Sequence, residues 1–221
     1  MRLGCGGCLG AALVGMIGVA AVGGAAWGVF RVLQTPDTPT AVGTPADGLA
    51  AQQKLYEIVR RGARRPGRAG SAEAVTLTER EVNAFLARHL AEAAELPLTD
   101  IGVRLVGGGV LEIVGRLPLR HLLGESPVSA LADVLPERWL GHRAWIHLRA
   151  RARVEPGGSR GQRRYLRLDV ERFQVGRQRL PALTLRHLLS PSALRVLRWP
   201  LPDGVEAITL EAGRAVIRTA F

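Results

Sequence analysis

The sequence predicts an α+β protein, an N-terminal transmembrane helix followed by a domain of amphipathic helices packed on a long, curved antiparallel sheet. Three observations predict it. Leu9–Leu33 holds no charged residue before Arg31. Two later stretches repeat apolar residues at helical spacing, and several others alternate apolar and polar residues over long runs. With 47% hydrophobic and 22% charged residues, the chain has the means to bury a core, which excludes a disordered protein.

Residues 1–33 read as a cytoplasmic tail and signal-anchor. About 20 apolar residues suffice to cross a bilayer core as a helix. Arg2 and Arg31 bracket such a stretch, and Trp27 and Phe30 suit an interfacial position near its end. A cleaved secretion signal has an apolar core of about 7–15 residues, shorter than this one. A short polar tail before one span and a domain after it place the protein as single-pass in the inner (cytoplasmic) membrane, domain outside the cytoplasm. Ala20, Gly24 and Gly28 form a small-residue stripe through which two spans would pair as a homodimer. Cys5 and Cys8 have CxxC spacing but lack two further ligands for a metal.

Residues 34–48, with three prolines and four threonines, read as a tether, leaving 49–221 as the extracytoplasmic domain. From Leu49 the spacing predicts a helix, with Leu55, Ile58 and Val59 on one face. It runs into Arg60, Arg61, Arg64, Arg65 and Arg68, a basic run suited to anionic headgroups. Thr78 and Glu81 then have the spacing of a capping box, with Leu77 and Val82 at the staple positions. The helix they start carries Val82, Phe85, Leu86 and Leu90 on one stripe. Asn83 and His89 on it read as rim or satisfied core residues.

Beyond Pro97 the period changes to two. Ile101, Val103 and Leu105, a Gly107-Gly108-Gly109 turn, then Leu111, Ile113, Leu117 and Leu119 predict a β-hairpin. Residues 119–140 read as helical or irregular. A second hairpin runs from His142 to Glu155 and back through Leu166, Leu168 and Val170. Its predicted register sets Ala152 opposite Leu166, Ala150 opposite Leu168 and Leu148 opposite Val170. On the other face it sets Arg149 against Asp169, His147 against Glu171 and Trp145 against Phe173. Strands of about 12 residues, twice the usual length, imply a curved sheet with one dry side. A further helix is expected over Pro181–Trp199, started by Ser190-Pro191 with Leu194 and Leu197 inward. The last hairpin is Val205–Leu210 and Arg214–Phe221.

The net charge is +11, and Lys54 is the single lysine among 30 basic residues. Arg143, Arg149, Arg151, Arg153 and Arg167 form a basic face on the second hairpin. Trp145, Tyr165 and Phe173 lie among them, the pattern of a stacking surface for RNA. The expected compartment argues against nucleic acid as a partner. The sequence has no GxSxG, Walker, HExxH or EF-hand pattern, and its five histidines form no i,i+4 pair. The expectation is therefore a non-enzyme without cofactor or metal.

The segment Leu77-Thr78-Glu79-Arg80-Glu81-Val82-Asn83-Ala84-Phe85-Leu86 resembles the "LTExELNAxL" helix of small bacterial membrane-anchored proteins of unknown function. Leu201–Leu210 with Gly213–Ile217 resembles their closing hairpin. Such domains are similar to TULIP-like (BPI-like, tubular lipid-binding) folds, in which a long helix lies against a strongly curved antiparallel sheet. The resemblance implies no catalytic residues. The arginine-rich 143–167 hairpin departs from the pattern and leaves the binding face open.

The functional expectation is an envelope protein that binds a lipid or other apolar ligand in a groove between helix and sheet, lined by Phe85, Leu86, Ile146, Leu148, Leu166 and Leu168. A fully packed core would use the same six residues. The alternative is a membrane-tethered scaffold that docks an envelope protein partner on the arginine face, without ligand. Membrane lipids are partners in the first reading.

Overall fold

The computed structural model describes residues 31, 34, 42–63, 73–93, 98–124, 133, 136–156, 164–181, 197–202 and 204–219. These form a mostly antiparallel sheet domain. The expected architecture is corrected on this point: sheet dominates, and among the described residues no helix is long and apolar enough to cross a membrane. The Leu9–Leu33 segment, apart from Arg31, lies outside the described residues, as do Cys5, Cys8 and the small-residue stripe.

Helix α1 (Pro45–Ala63) begins inside the stretch read as a tether. The reason is a second capping box, overlooked in the sequence. The Thr44 amide and hydroxyl donate to Asp47 Oδ2 at 2.8 and 2.7 Å, and the Asp47 amide donates back to Thr44 Oγ1 at 3.3 Å. Pro45 takes the first helical position, where its missing amide hydrogen costs nothing. Ala51 and Ile58 are buried, whereas Val59, expected inward, is exposed.

Strand β1 (Glu73–Thr78) leads directly into α2 (Glu79–Ala93). The hairpin β2 (Thr99–Gly107) and β3 (Val110–Pro118) follows, with Gly107 at φ +98° in its turn. A Cβ on Gly107 would lie 3.1 Å from the Ala212 amide nitrogen, so two chain turns meet there. Short helices α3 (Leu119–Gly124) and α4 (Glu137–Leu140) precede β4 (Arg143–Glu155) and β5 (Tyr165–Val175). Strands β6 (Gln178–Leu180), β7 (Arg198–Pro200), β8 (Val205–Glu211) and β9 (Arg214–Thr219) complete the order.

The strands make two antiparallel sheets. The larger runs β2-β3-β4-β5-β6, with β7 also on β5; the smaller runs β1-β9-β8. They are stitched at one corner, where Gly213 donates to Leu105 O at 2.9 Å and Gly109 donates to Leu210 O at 3.1 Å.

The β4–β5 pairing differs from the predicted register. Ala152 faces Leu168, Ala150 faces Val170 and Val154 faces Leu166, a shift of two residues that keeps the apolar faces together. A bulge then intervenes between Arg149 and Ala150, beyond which Leu148 faces Phe173 and Ile146 faces Val175. The bulge inserts one residue in β5, so its inward positions switch from even to odd numbers. Phe173, expected among the arginines opposite Trp145, is therefore fully buried. His147 faces Val114 and Gln174 instead of Glu171, and its Nε2 is buried without a hydrogen-bond partner.

Of the helix expected over Pro181–Trp199, residues 182–196 lie outside the described residues. Its end is corrected: Arg198–Pro200 is strand, paired to Arg167, Leu166 and Tyr165 of β5.

Two interiors result. One, around Leu117, Ala144, Leu148, Ala150, Phe173 and Val175, lies on one half of the large sheet. The other lies between the two sheets and the two long helices.

Candidate functional site

The second interior is hollow. It holds an apolar, half-open cavity of about 250 Å³. Five strands on its wall contribute residues two apart: Val103 and Leu105, Leu111 and Ile113, Leu166 and Leu168, Ile208 and Leu210, Ala215 and Ile217. That is the inward half of a strand's alternation. The helices contribute at their own spacing, Ala51 and Leu55 from α1, and Val82, Phe85 and Leu86 from α2. Leu77 and Trp199 complete the lining among the described residues, all of apolar types.

Of the six groove residues expected from sequence, Phe85, Leu86, Leu166 and Leu168 line this cavity. Leu148 and Ile146 do not. Leu148 is buried in the first interior and Ile146 packs against it, because both lie beyond the bulge.

The segment Leu77–Leu86 positions the helical wall. The Thr78 amide donates to Glu81 Oε2 at 2.8 Å and the Glu81 amide donates to Thr78 Oγ1 at 3.3 Å, closing the expected capping box. β2 is an edge strand of the large sheet, and α2 side chains satisfy its outer polar groups. Asn83 Nδ2 donates to Val103 O at 2.7 Å, while its Oδ1 accepts from the Val103 amide. Glu79 Oε2 accepts from the Leu105 amide at 2.7 Å. Asn83 is thus a satisfied core residue, and the His89 ring lies tilted against Phe85, with centroids 4.7 Å apart. With β2 so engaged, Val82, Phe85 and Leu86 face the cavity.

Lys54 fastens α1 over the same site. Its Nζ donates to Glu81 Oε1 at 2.7 Å, to Oε2 at 2.9 Å and to Thr76 O at 2.9 Å. A compact ammonium with three donors suits this convergence of oxygens better than a planar guanidinium. Burial pushes the Glu81 carboxyl up, but the Lys54 ammonium and the Thr78 amide together hold it below the ordinary carboxylate range.

The basic face is interleaved with acids. Glu112 lies 2.8 Å from Arg149 and 3.9 Å from Arg104, and Glu171 lies 2.9 Å from Arg151 and 3.6 Å from Arg149. A second chain runs Arg153–Asp169–Arg167–Glu155–Arg198, at 3.4, 2.8, 2.9 and 3.1 Å. The expected Arg149–Asp169 pair is replaced by these contacts, which follow from the shifted register. Arg143 donates to Thr99 Oγ1 at 2.6 Å. In each chain two carboxylates bridge three arginines, so most of the positive charge read from sequence is compensated within the sheet.

Among the described residues no group of three or more His, Cys, Asp or Glu side chains is placed to hold a metal ion. Comparison of the chain with protein-family models, curated proteins and solved structures finds no match.

Trp199 was missed as a site residue because the sequence around it reads as helix. The paired lining residues of β2, β3, β8 and β9 were visible as alternation. Their convergence on one space depends on how the two sheets meet.

Proposed function

We propose that the protein binds a single apolar chain, such as the acyl tail of a lipid, in the cavity between α1, α2 and the two sheets, without catalysis. The carrying observation is a space of about 250 Å³ whose seventeen described lining residues are all of apolar types. A well-packed interior has few voids larger than a water molecule. A dry cavity of about 150 Å³ already accepts benzene, whereas sites for drug-sized molecules begin near roughly 300 Å³. The volume suits one chain better than a two-tailed lipid. The scaffold alternative draws less support, since the arginines that would dock a partner are largely engaged by Glu112, Glu155, Asp169 and Glu171.

The test is isothermal titration of the full-length chain with decanoic acid at several temperatures. Binding with a negative heat-capacity change is expected. Ala215→Leu places extra atoms in the cavity and should weaken binding by roughly tenfold or more. Equal binding by parent and variant would show that the ligand sits elsewhere.

A further inference from the structure

Helix α1 carries a second apolar surface, turned away from the cavity. Its inner side, Ala51, Leu55 and Ile58, serves the interior, and Ala51 and Leu55 line the cavity itself. Leu49, Tyr56 and Val59 are instead 55%, 68% and 53% exposed. Spacings of seven and three residues put these three on one stripe, about 15 Å long at the rise of an α-helix. Val42, just ahead of the helix, and Trp199 are the other large hydrophobic side chains exposed among the described residues.

The polar company of the stripe is neutral or basic. Gln52, Gln53 and Arg60 are exposed. The two acids of the helix are drawn in: Asp47 and Glu57 are half-buried, and Asp47 accepts from Thr44 and lies 3.8 Å from Arg80. In sequence Arg61, Arg64, Arg65 and Arg68 follow Arg60, with no acid before Glu73. The apolar stripe therefore ends in concentrated positive charge.

We infer that the outer face of α1 docks on an anionic lipid surface, with Leu49, Tyr56 and Val59 entering the headgroup layer and Arg60 meeting lipid phosphates. A straight stripe along one helix suits a plane, on which an amphipathic helix lies with its apolar side down. A standard protein–protein interface buries about 800 Å² on each partner, more than three side chains supply. Tyrosine joins an apolar ring to a hydroxyl that stays wet, as the headgroup level requires. Each basic residue near an anionic surface strengthens attachment roughly fivefold. Docked in this way, α1 lies between the lipid and the cavity. The docking itself does not depend on the cavity being occupied.

The experiment reads the helix locally, in the full-length chain with Cys5→Ser and Cys8→Ser. Val59→Cys places the environment-sensitive fluorophore NBD on the stripe. Arg172→Cys places it on the arginine face of the large sheet, where Arg172 is exposed opposite Arg149. On vesicles of phosphatidylcholine and phosphatidylglycerol in equal parts, the Val59 probe should shift to the blue and be quenched by lipid-borne nitroxide, while the Arg172 probe stays in water. Phosphatidylcholine alone should give no shift, and added salt should reduce it. Arg60→Gln should raise the lipid needed for the half-maximal shift roughly fivefold, and Tyr56→Ser roughly tenfold. A Val59 probe that stays in water on the charged vesicles overturns the docking, even if another segment attaches the chain to them. An equal response from the Arg172 probe, or an equal shift on phosphatidylcholine alone, overturns it too. A decanoic acid titration that fails while the Val59 probe still responds removes the cavity ligand and leaves the docking in place.

Discussion

One half of the large sheet's inner face is fully buried and the other borders a hollow, although the two interiors share strands. Around Phe173 burial is complete: Phe173, Ala144 and Ala150 are all 0% exposed. Around Leu86 and Leu166 side chains of similar size surround an open space. Residue type does not distinguish the two, since both are built of Leu, Val, Ile, Ala and Phe. Geometry does. In the fully buried half an aromatic ring delivered by the bulge shares a cluster with small alanines on β4. In the hollow half the opposing wall is a second sheet with two helices, held off by the corner at Gly107, Gly109 and Gly213 and by the Asn83 and Glu79 contacts.

The largest test of that contrast removes volume from each side. Phe173→Ala should cost about 3–5 kcal/mol, because its neighbours cannot collapse into the gap. Leu86→Ala should cost about 2 kcal/mol, since a side chain bordering a void has fewer partner atoms to lose. Urea midpoints of the two variants check the difference, and equal losses would mean that the cavity is filled in solution.

Adding volume gives the converse. Ala150→Leu forces a branched side chain into a closed interior and should destabilise by about 1–3 kcal/mol. Ala215→Leu points at the cavity and should stay within roughly 1 kcal/mol of the parent. A steep loss for Ala215→Leu in thermal unfolding would place it with the fully buried half.

A further test concerns how the hollow half is held together. Lys54→Met leaves Glu81, 7% exposed, without its ammonium, at a cost of about 1–2 kcal/mol. The pH dependence has a definite sign. The folded-state Glu81 carboxyl titrates below its ordinary value of 4.5, so its contribution is complete above that value and is lost as pH falls through the lowered one. Stability of the parent should thus decline more steeply below about pH 4.5 than that of Glu81→Gln.

Much of the domain was legible locally. The Thr78–Glu81 capping box, the β2–β3 hairpin and the β8–β9 hairpin are written in spacings of two to four residues, and the chain obeys them. The β4–β5 register failed because alternation fixes only which face a residue takes, so a slip of two satisfies it equally well. The spacing Val170-x-x-Phe173 did carry the bulge, as two apolar residues three apart in an otherwise alternating strand. The small sheet's β1 escaped notice because Glu73–Thr78 is six residues long and its partner β9 lies at the far end of the chain. The same distance explains the cavity. Four of the six expected residues border it, yet the walls from β8 and β9 come from a region with no sequence link to the α2 helix.

Lys54 has a practical consequence. As the single lysine, it supplies the sequence's one side-chain amine, and Glu81 and the Thr76 carbonyl occupy it while α1 is seated. Amine-directed acylation thereby has one internal address, beside Ala51 and Leu55 on the cavity's helical wall. Its labelling speed becomes a clock for the lifting of that helix.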